Sequence, residues 1–228
     1  MSIRAVLFDV YGTLLRSGAG GLHPDPRLRA AIAKAHAASP HPFPEVDIRE
    51  IHADLCPGLT AEEIGEQAMR QEELLNPVSE MPGARETLEG LAGRGLKLGL
   101  VSNAQFYTVP ILEGRLGATL TELRIDPHLC RFSYMERRAK PDPWLFEAAR
   151  EALAMIEVKA EEVLYVGNDV RNDIDPAGAA GFRTVLFAGD ASSLRLRGRG
   201  REDCGADHVI VDLRELLKLV KPMTGPLP

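Results

Sequence analysis

No apolar run in the chain approaches the roughly 20 residues that a bilayer-spanning helix needs, so no membrane partner is expected. Cysteine is scarce: Cys56, Cys130 and Cys204 are odd in number and far apart. That leaves no disulfide framework and suggests a reduced, cytoplasmic protein. The six histidines are scattered without a spacing such as H-x-x-x-H, which argues against a zinc centre. An excess of positive charge is also missing. The formal net charge is −6, which argues against nucleic acid or a membrane surface as the main partner. The N-terminal "MSIRAVLF" runs straight into a strand-like segment with no secretory pattern, and there is no internal repeat. One local basic run, "RLRGRGR" at 195–201, stands out. Its glycine and arginine content reads as a solvated loop, with phosphate binding as the lesser alternative.

What is present is an ordinary globular composition, 45% hydrophobic and 26% charged over 228 residues. That length suits one large domain, or one domain carrying a smaller insert. Residues 3–8, "LKLGLV" (96–101), "VLYVG" (163–167) and "RTVLFA" (183–188) read as short buried strands. Helical patterns lie between them. "ARETLEGLAGRG" (84–95) ends on Gly95 as a C-cap, and "DPWLFEAAREALAMI" (142–156) starts with Asp142 as cap and Pro143 in the first turn. "DLRELLKLV" (212–220) has Asp212 in the capping role. The alternation predicts an α/β fold with a largely parallel sheet.

Residues 16–80 break the alternation. They hold three helix-like stretches, about 25–38, 46–55 and 60–76, and no convincing strand. "RSGAGG" (16–21) and "NPVSEMPG" (76–83) flank them as hinge-like segments. The expected organisation is a core of residues 1–15 and 81–228 with a small all-helical cap at 16–80, and a loose tail at "KPMTGPLP".

In an open parallel sheet, ligands bind beyond the carboxyl ends of the strands. The first strand ends at Asp9, inside "AVLFDVYGTLL" (5–15); the strand at 96–101 ends in Ser102 and Asn103. The strand at 163–167 runs into Asn168 and Asp169, with Asp173 four residues on. Carboxylates gathered at one edge repel unless a cation sits among them. Oxygen donors without histidine or cysteine favour Mg²⁺. Lys140, held in the stiff "KPDP", adds a positive charge. With hydroxyl and N–H donors, the set suits an anion such as phosphate. Each residue alone has a plainer explanation, as a turn former, a helix cap or a surface lysine. Their order and placement carry the argument.

The ordered set resembles the haloacid dehalogenase superfamily of hydrolases along essentially the whole chain. "DVYGT" (9–13) matches the family's D-x-[DY]-G-T, and Ser102 in "VSN" its second motif. Lys140 in "KPDP" matches its third and "GNDVRND" (167–173) its fourth. The resemblance implies a Rossmann-like parallel sheet with helices on both faces, and a helical cap. It implies Asp9 as a nucleophile that forms a covalent aspartyl intermediate. Mg²⁺ would be held by Asp9, the main-chain carbonyl of Tyr11 and the fourth motif, within Asn168, Asp169 and Asp173. Ser102 and Lys140, with Asn103 and Thr13, would bind the phosphoryl oxygens of a small anionic substrate.

The departures point in two directions. Phosphatases of the family usually carry Asp where this chain has Tyr11, and acid–base help of that kind is worth roughly 10²–10⁴ in rate. D-x-Y-G-T is instead the form that resembles 2-haloacid dehalogenases, which are metal-independent and whose halide leaving group needs no proton. Yet the dehalogenase fourth motif is not matched, since Asn168 and Val170 fall at its Ser and Asn positions. The arginine expected about thirty residues after the nucleophile is absent too; Arg27, Arg29 and Arg49 are the nearest. A phosphonate-cleaving cap lysine has one candidate, Lys34, which reads as a surface lysine. The balance favours Mg²⁺-dependent hydrolysis of a small phosphate ester. A 2-haloacid dehalogenase and a non-catalytic phosphate-binding or interaction protein on the same scaffold stand as alternatives.

Overall fold

A computed structural model describes residues 2–18 and 23–221. Six parallel strands form one sheet: β1 (Ala5–Phe8), β4 (Lys97–Ser102), β5 (Arg131–Phe132), β6 (Val163–Gly167), β7 (Arg183–Phe187) and β8 (His208–Ile210), in the order β5-β4-β1-β6-β7-β8. The pair β2 (Leu15–Ser17) and β3 (Val78–Glu80) forms a separate antiparallel ribbon. The first strand lies at the centre, with Leu7 opposite Gly99 of β4 and Tyr165 of β6.

Strand alternation explains why the sheet is covered on both sides. Val6 and Phe8 face one apolar cluster, which includes residues of α4 (Ala84–Gly93), α5 (Thr108–Leu116) and α9 (Leu216–Leu219). Ala5 and Leu7 face the other, built on α7 (Trp144–Met155) and α8 (Asp175–Ala179). The short helix α6 (Ser133–Glu136) follows β5. Side chains such as Phe8, Leu88, Leu91 and Phe146 are fully buried, each worth about 1.5–3 kcal/mol of transfer free energy.

Between β2 and β3 the chain forms α1 (Pro26–Ala38), α2 (Ile48–Leu55) and α3 (Ala61–Leu75). Their starts follow capping chemistry: Asp25 and Asp47 accept from main-chain N–H groups, and Thr60 forms a capping box with Glu63. Leu28, Val46 and Ile51 make a small apolar cluster of their own. The sequence showed three helices here and no strand, whereas the structure adds the β2–β3 ribbon. Each of these strands has three residues, too short for alternation to register. The first hinge-like segment runs through β2, and its residues 19–21 lie outside the described residues, as do 222–228 of the expected tail.

Elsewhere the structure adds the two edge strands β5 and β8 and the helix α5. Asp142 accepts from the N–H of Trp144, and Asp212 makes a capping box with Glu215. Gly95 adopts a left-handed φ of 81° past the end of α4. Among the described residues, no helix is long and apolar enough to cross a membrane.

The centre of the sheet is packed to contact at Gly99. A Cβ there would lie 2.5 Å from the Leu129 carbonyl oxygen and 2.7 Å from Leu7 Cδ2. Gly99→Ala is therefore expected to destabilise the fold by about 1–3 kcal/mol, measured as a lower urea midpoint at unchanged slope.

Candidate active site

The carboxyl ends of β1, β4 and β6 converge on one buried ammonium. Lys140 Nζ lies 2.7 Å from Asp9 Oδ1 and 2.6 Å from Asp173 Oδ1, with its side chain 3% exposed. It also donates toward the Val101 carbonyl and the Tyr165 hydroxyl, both at 3.1 Å. Burial works against the lysine's charge, but Asp173 and Asp9 outweigh it and hold its pKa above the ordinary lysine value. Asp173 is pushed up to about 6, first by burial and further by Asp9, with Lys140 pulling the other way.

Each partner arrives for a local reason. Asp9 follows the last residue of β1, and its N–H donates to the Val166 carbonyl of β6. Ser102 ends β4 and donates its hydroxyl to Asp9 Oδ1 at 2.9 Å. Asp9 Oδ2 receives no hydrogen bond among the described residues. Asn103 clamps the main chain of Lys140 at two points: its Oδ1 accepts from Lys140 N at 2.7 Å and its Nδ2 donates to Lys140 O at 3.1 Å. Asp173 Oδ2 accepts from the N–H groups of Asn168 and Asp169 at 3.1 and 2.9 Å. This ties the turn after β6 to the lysine.

The remaining predicted residues sit close by, in other roles. Thr13 is fully buried and donates to Asn168 Oδ1 at 3.3 Å. Asn168 lies against Gly12, where φ is +87° and a Cβ would come within 2.4 Å of the Asn168 amide. Only glycine allows both the conformation and the contact. Asp169 makes no bond to the lysine among the described residues. It caps the turn by accepting from the N–H groups of Arg171 and Asn172, and it takes a two-point salt bridge from Arg197. The Tyr11 hydroxyl bonds Thr108 Oγ1 at 3.1 Å. Burial, then Glu72 and Asp9, drive the Tyr11 pKa far above the ordinary tyrosine value, so the phenol stays protonated.

Four participants were not expected from the sequence. The Tyr165 hydroxyl lies 3.0 Å from both the Val101 carbonyl and Asp173 Oδ1; the visible signal was a polar-tipped residue inside "VLYVG". Arg197 belongs to the basic run that was read as a solvated loop. Residues 197–201 do form an exposed loop, and from it Arg197 pairs with Asp169 and Arg199 with Asp175, while the main chain of Arg195 bridges to the 168–170 turn. Glu45 and Glu72 line a cleft of about 300 Å³ that also includes Tyr11 and Asn103.

The chain belongs to the haloacid dehalogenase-like hydrolases, whose family model matches residues 3–181. Over 148 residues it is 32% identical to the ribulose-1,5-bisphosphate 5-phosphatase of Halopiger xanaduensis, covering 64% of this chain and 59% of that protein. Over 149 residues it is 31% identical to the glyceraldehyde 3-phosphate phosphatase of Pyrococcus furiosus, covering 64% and 56%. It thus spans less than two thirds of either relative's length. The fold also matches the crystal structure of a 2-haloacid dehalogenase from Pseudomonas syringae pv. Tomato, with a TM-score of 0.61 at 22% identity over 95% of this chain and 97% of that one.

Removing the ammonium would leave Asp9 and Asp173 facing each other without a cation. Lys140→Met is expected to cost about 3–5 kcal/mol, and adding Asp173→Asn should recover part of it. In the single variant the folded pKa of Asp173 rises further above its unfolded value. The group then favours the fold at low pH and opposes it as pH rises through the folded value. Lys140→Met should therefore gain stability relative to the unaltered chain between pH 8 and pH 5, measured by urea unfolding at each pH.

Proposed function

We propose that the protein hydrolyses a small phosphate monoester, with Asp9 as the nucleophile. The observation that carries this reading is the state of the Asp9 carboxylate. Oδ1 is fixed by Ser102 and Lys140, while Oδ2 is left without a donor to attack phosphorus. The attack would break the ester P–O bond and form an aspartyl phosphate, the departing oxygen taking its proton from water, and a second water would then hydrolyse the acyl phosphate to inorganic phosphate and restore the Asp9 carboxylate. Lys140 and Ser102 hold Asp9 in place and offset the charge developing on the phosphoryl oxygens. Asn103 and Asp173 act through Lys140 by fixing its position.

A metal fits this site in a restricted way. Among the described residues, no three His, Cys, Asp or Glu side chains form a metal-binding group. Asp169 and Asp173 are occupied by Arg197 and Lys140. Asp9, the Tyr11 carbonyl and Asn168 Oδ1 remain as hard oxygen donors carrying one formal charge. That set suits Mg²⁺ binding through one carboxylate, waters and the substrate phosphate. Bound there, the ion would supply further charge neutralisation at the phosphoryl group.

Residues 16–80 would act as a cap over this site, excluding water during the first step. The cleft beside Tyr11 holds Glu45 and Glu72, whereas Arg29 is bound to main-chain carbonyls near His23 and Arg49 is paired with Asp47. No arginine lines that cleft, which favours a phosphate ester over a 2-haloacid, whose carboxylate needs a cation. The names of the two curated relatives agree with a phosphatase.

Tyr11 cannot protonate a leaving group or activate water as a carboxylate would. An aryl phosphate should therefore be hydrolysed at least about 10²-fold faster than a simple alkyl phosphate, and equal rates would contradict the missing-acid argument. Asp9→Asn should abolish turnover. EDTA should remove activity and Mg²⁺ restore it, whereas chloroacid turnover that survives EDTA would establish the dehalogenase instead.

A further inference from the structure

Behind Tyr11 the 300 Å³ cleft adjoins a second cavity of about 240 Å³. Glu45, Glu72, Gln105 and Tyr107 line both. The outer space is also lined by Tyr11, Asn76, Asn103 and Ala104. The inner one lies among α1, α2 and α3, with walls from Leu28, Ile32, Val46, Ile48 and Leu75.

The two acids are held in place. Glu72 accepts from the Tyr107 hydroxyl at 3.1 Å and from Asn76 Nδ2 at 2.8 Å. Glu45 accepts from the Ser133 hydroxyl and from the N–H of Val46, both at 3.0 Å. No lysine or arginine lines either cavity. The arginines near this wall in sequence are engaged elsewhere, Arg49 with Asp47, Arg70 with Glu66 and Arg115 with Glu73. His52, on the inner wall, is held below the ordinary histidine pKa by burial, so it adds no cation at neutral pH. A second anionic group placed here would meet Glu45 and Glu72 and, among the described residues, no lysine or arginine, the basic side chains of the inner wall being His23 and His52; a site that repels one class of ligand selects by that repulsion.

We propose that these joined cavities receive the organic part of a phosphate monoester that carries no second anionic group, with a hydroxyl- or amine-bearing portion beside Glu45 and Glu72 and an apolar end among α1–α3. This deepens the phosphatase reading and rests on it. Glu45 and Glu72 are then specificity-determining residues, and bisphosphates and carboxylated phosphate esters are excluded by charge.

The test is calorimetric titration of the full-length Asp9→Asn protein, which holds substrates without turnover, with butyl phosphate, 2-phosphoglycolate and ribulose 1,5-bisphosphate. Butyl phosphate should bind at least about tenfold more tightly than either doubly anionic ligand. Adding Glu72→Gln, or Glu45→Gln should that variant misfold, should narrow the gap several-fold by strengthening 2-phosphoglycolate binding. Equal affinities for all three ligands would overturn the charge selection and leave the phosphate site standing. A gap unmoved by both substitutions would overturn the assignment to these acids. Failure to bind any of the three would overturn the phosphate reading itself.

Discussion

The buried ammonium of Lys140 is the interaction on which the rest of the site depends. A lysine taken out of water is costly unless it is paired and hydrogen-bonded. Here the pairing draws on separate parts of the chain: Asp9 after β1, the Val101 carbonyl in β4, Tyr165 in β6 and Asp173 beyond it. Central strands can deliver these groups to one point because a parallel sheet ends all of them at the same edge. The apolar faces above and below fix the strands. The charge then fixes the loops, since Asn103 and the N–H groups of Asn168 and Asp169 are used to hold the lysine and its acid.

Much of this was legible in the sequence. The four longer strands declare themselves as continuous apolar runs, and β6 spans Val163–Gly167, as its pattern indicates. Asp9 and Ser102 are visible because each ends an apolar segment, Lys140 because it stands in the stiff "KPDP", and Asp173 because it follows the strand end at 163–167 by a short turn. The ribbon β2–β3 and the edge strands β5 and β8 were not visible, since two or three residues carry no period. The division of labour among Asn168, Asp169 and Asp173 was also hidden. It is decided by Arg197, nearly thirty residues later in sequence, and composition alone made that residue look like part of a solvated loop.

The same contrast separates the chemistry of the site from its selectivity. The residues around Asp9 form a compact constellation drawn from strand ends, where register is strongly specified by burial on both faces. The walls of the neighbouring cavities come mostly from 23–76 and from the segment 103–107, where side chains are placed by helix packing and by single hydrogen bonds such as that between Tyr107 and Glu72. A motif can encode the first because its spacing is fixed by strand and turn geometry. The second has no fixed spacing to read, so two glutamates that set the sign of the cavity pass unnoticed in a chain with 33 acidic residues.

The stretch 43–45 is joined to 137–139 by main-chain bonds from Ala139 to Phe43 and from Glu45 to Arg137, and Arg137 adds a salt bridge to Glu50. Lys140 is the next residue along. The inserted helices and the charge-bearing lysine are therefore mechanically in series. On the proposed reading, a displacement of these helices that admits or releases a ligand would pull on the segment that sets the position of Lys140, and access to the site and the placement of the ammonium beside Asp9 would be two readings of a single coordinate.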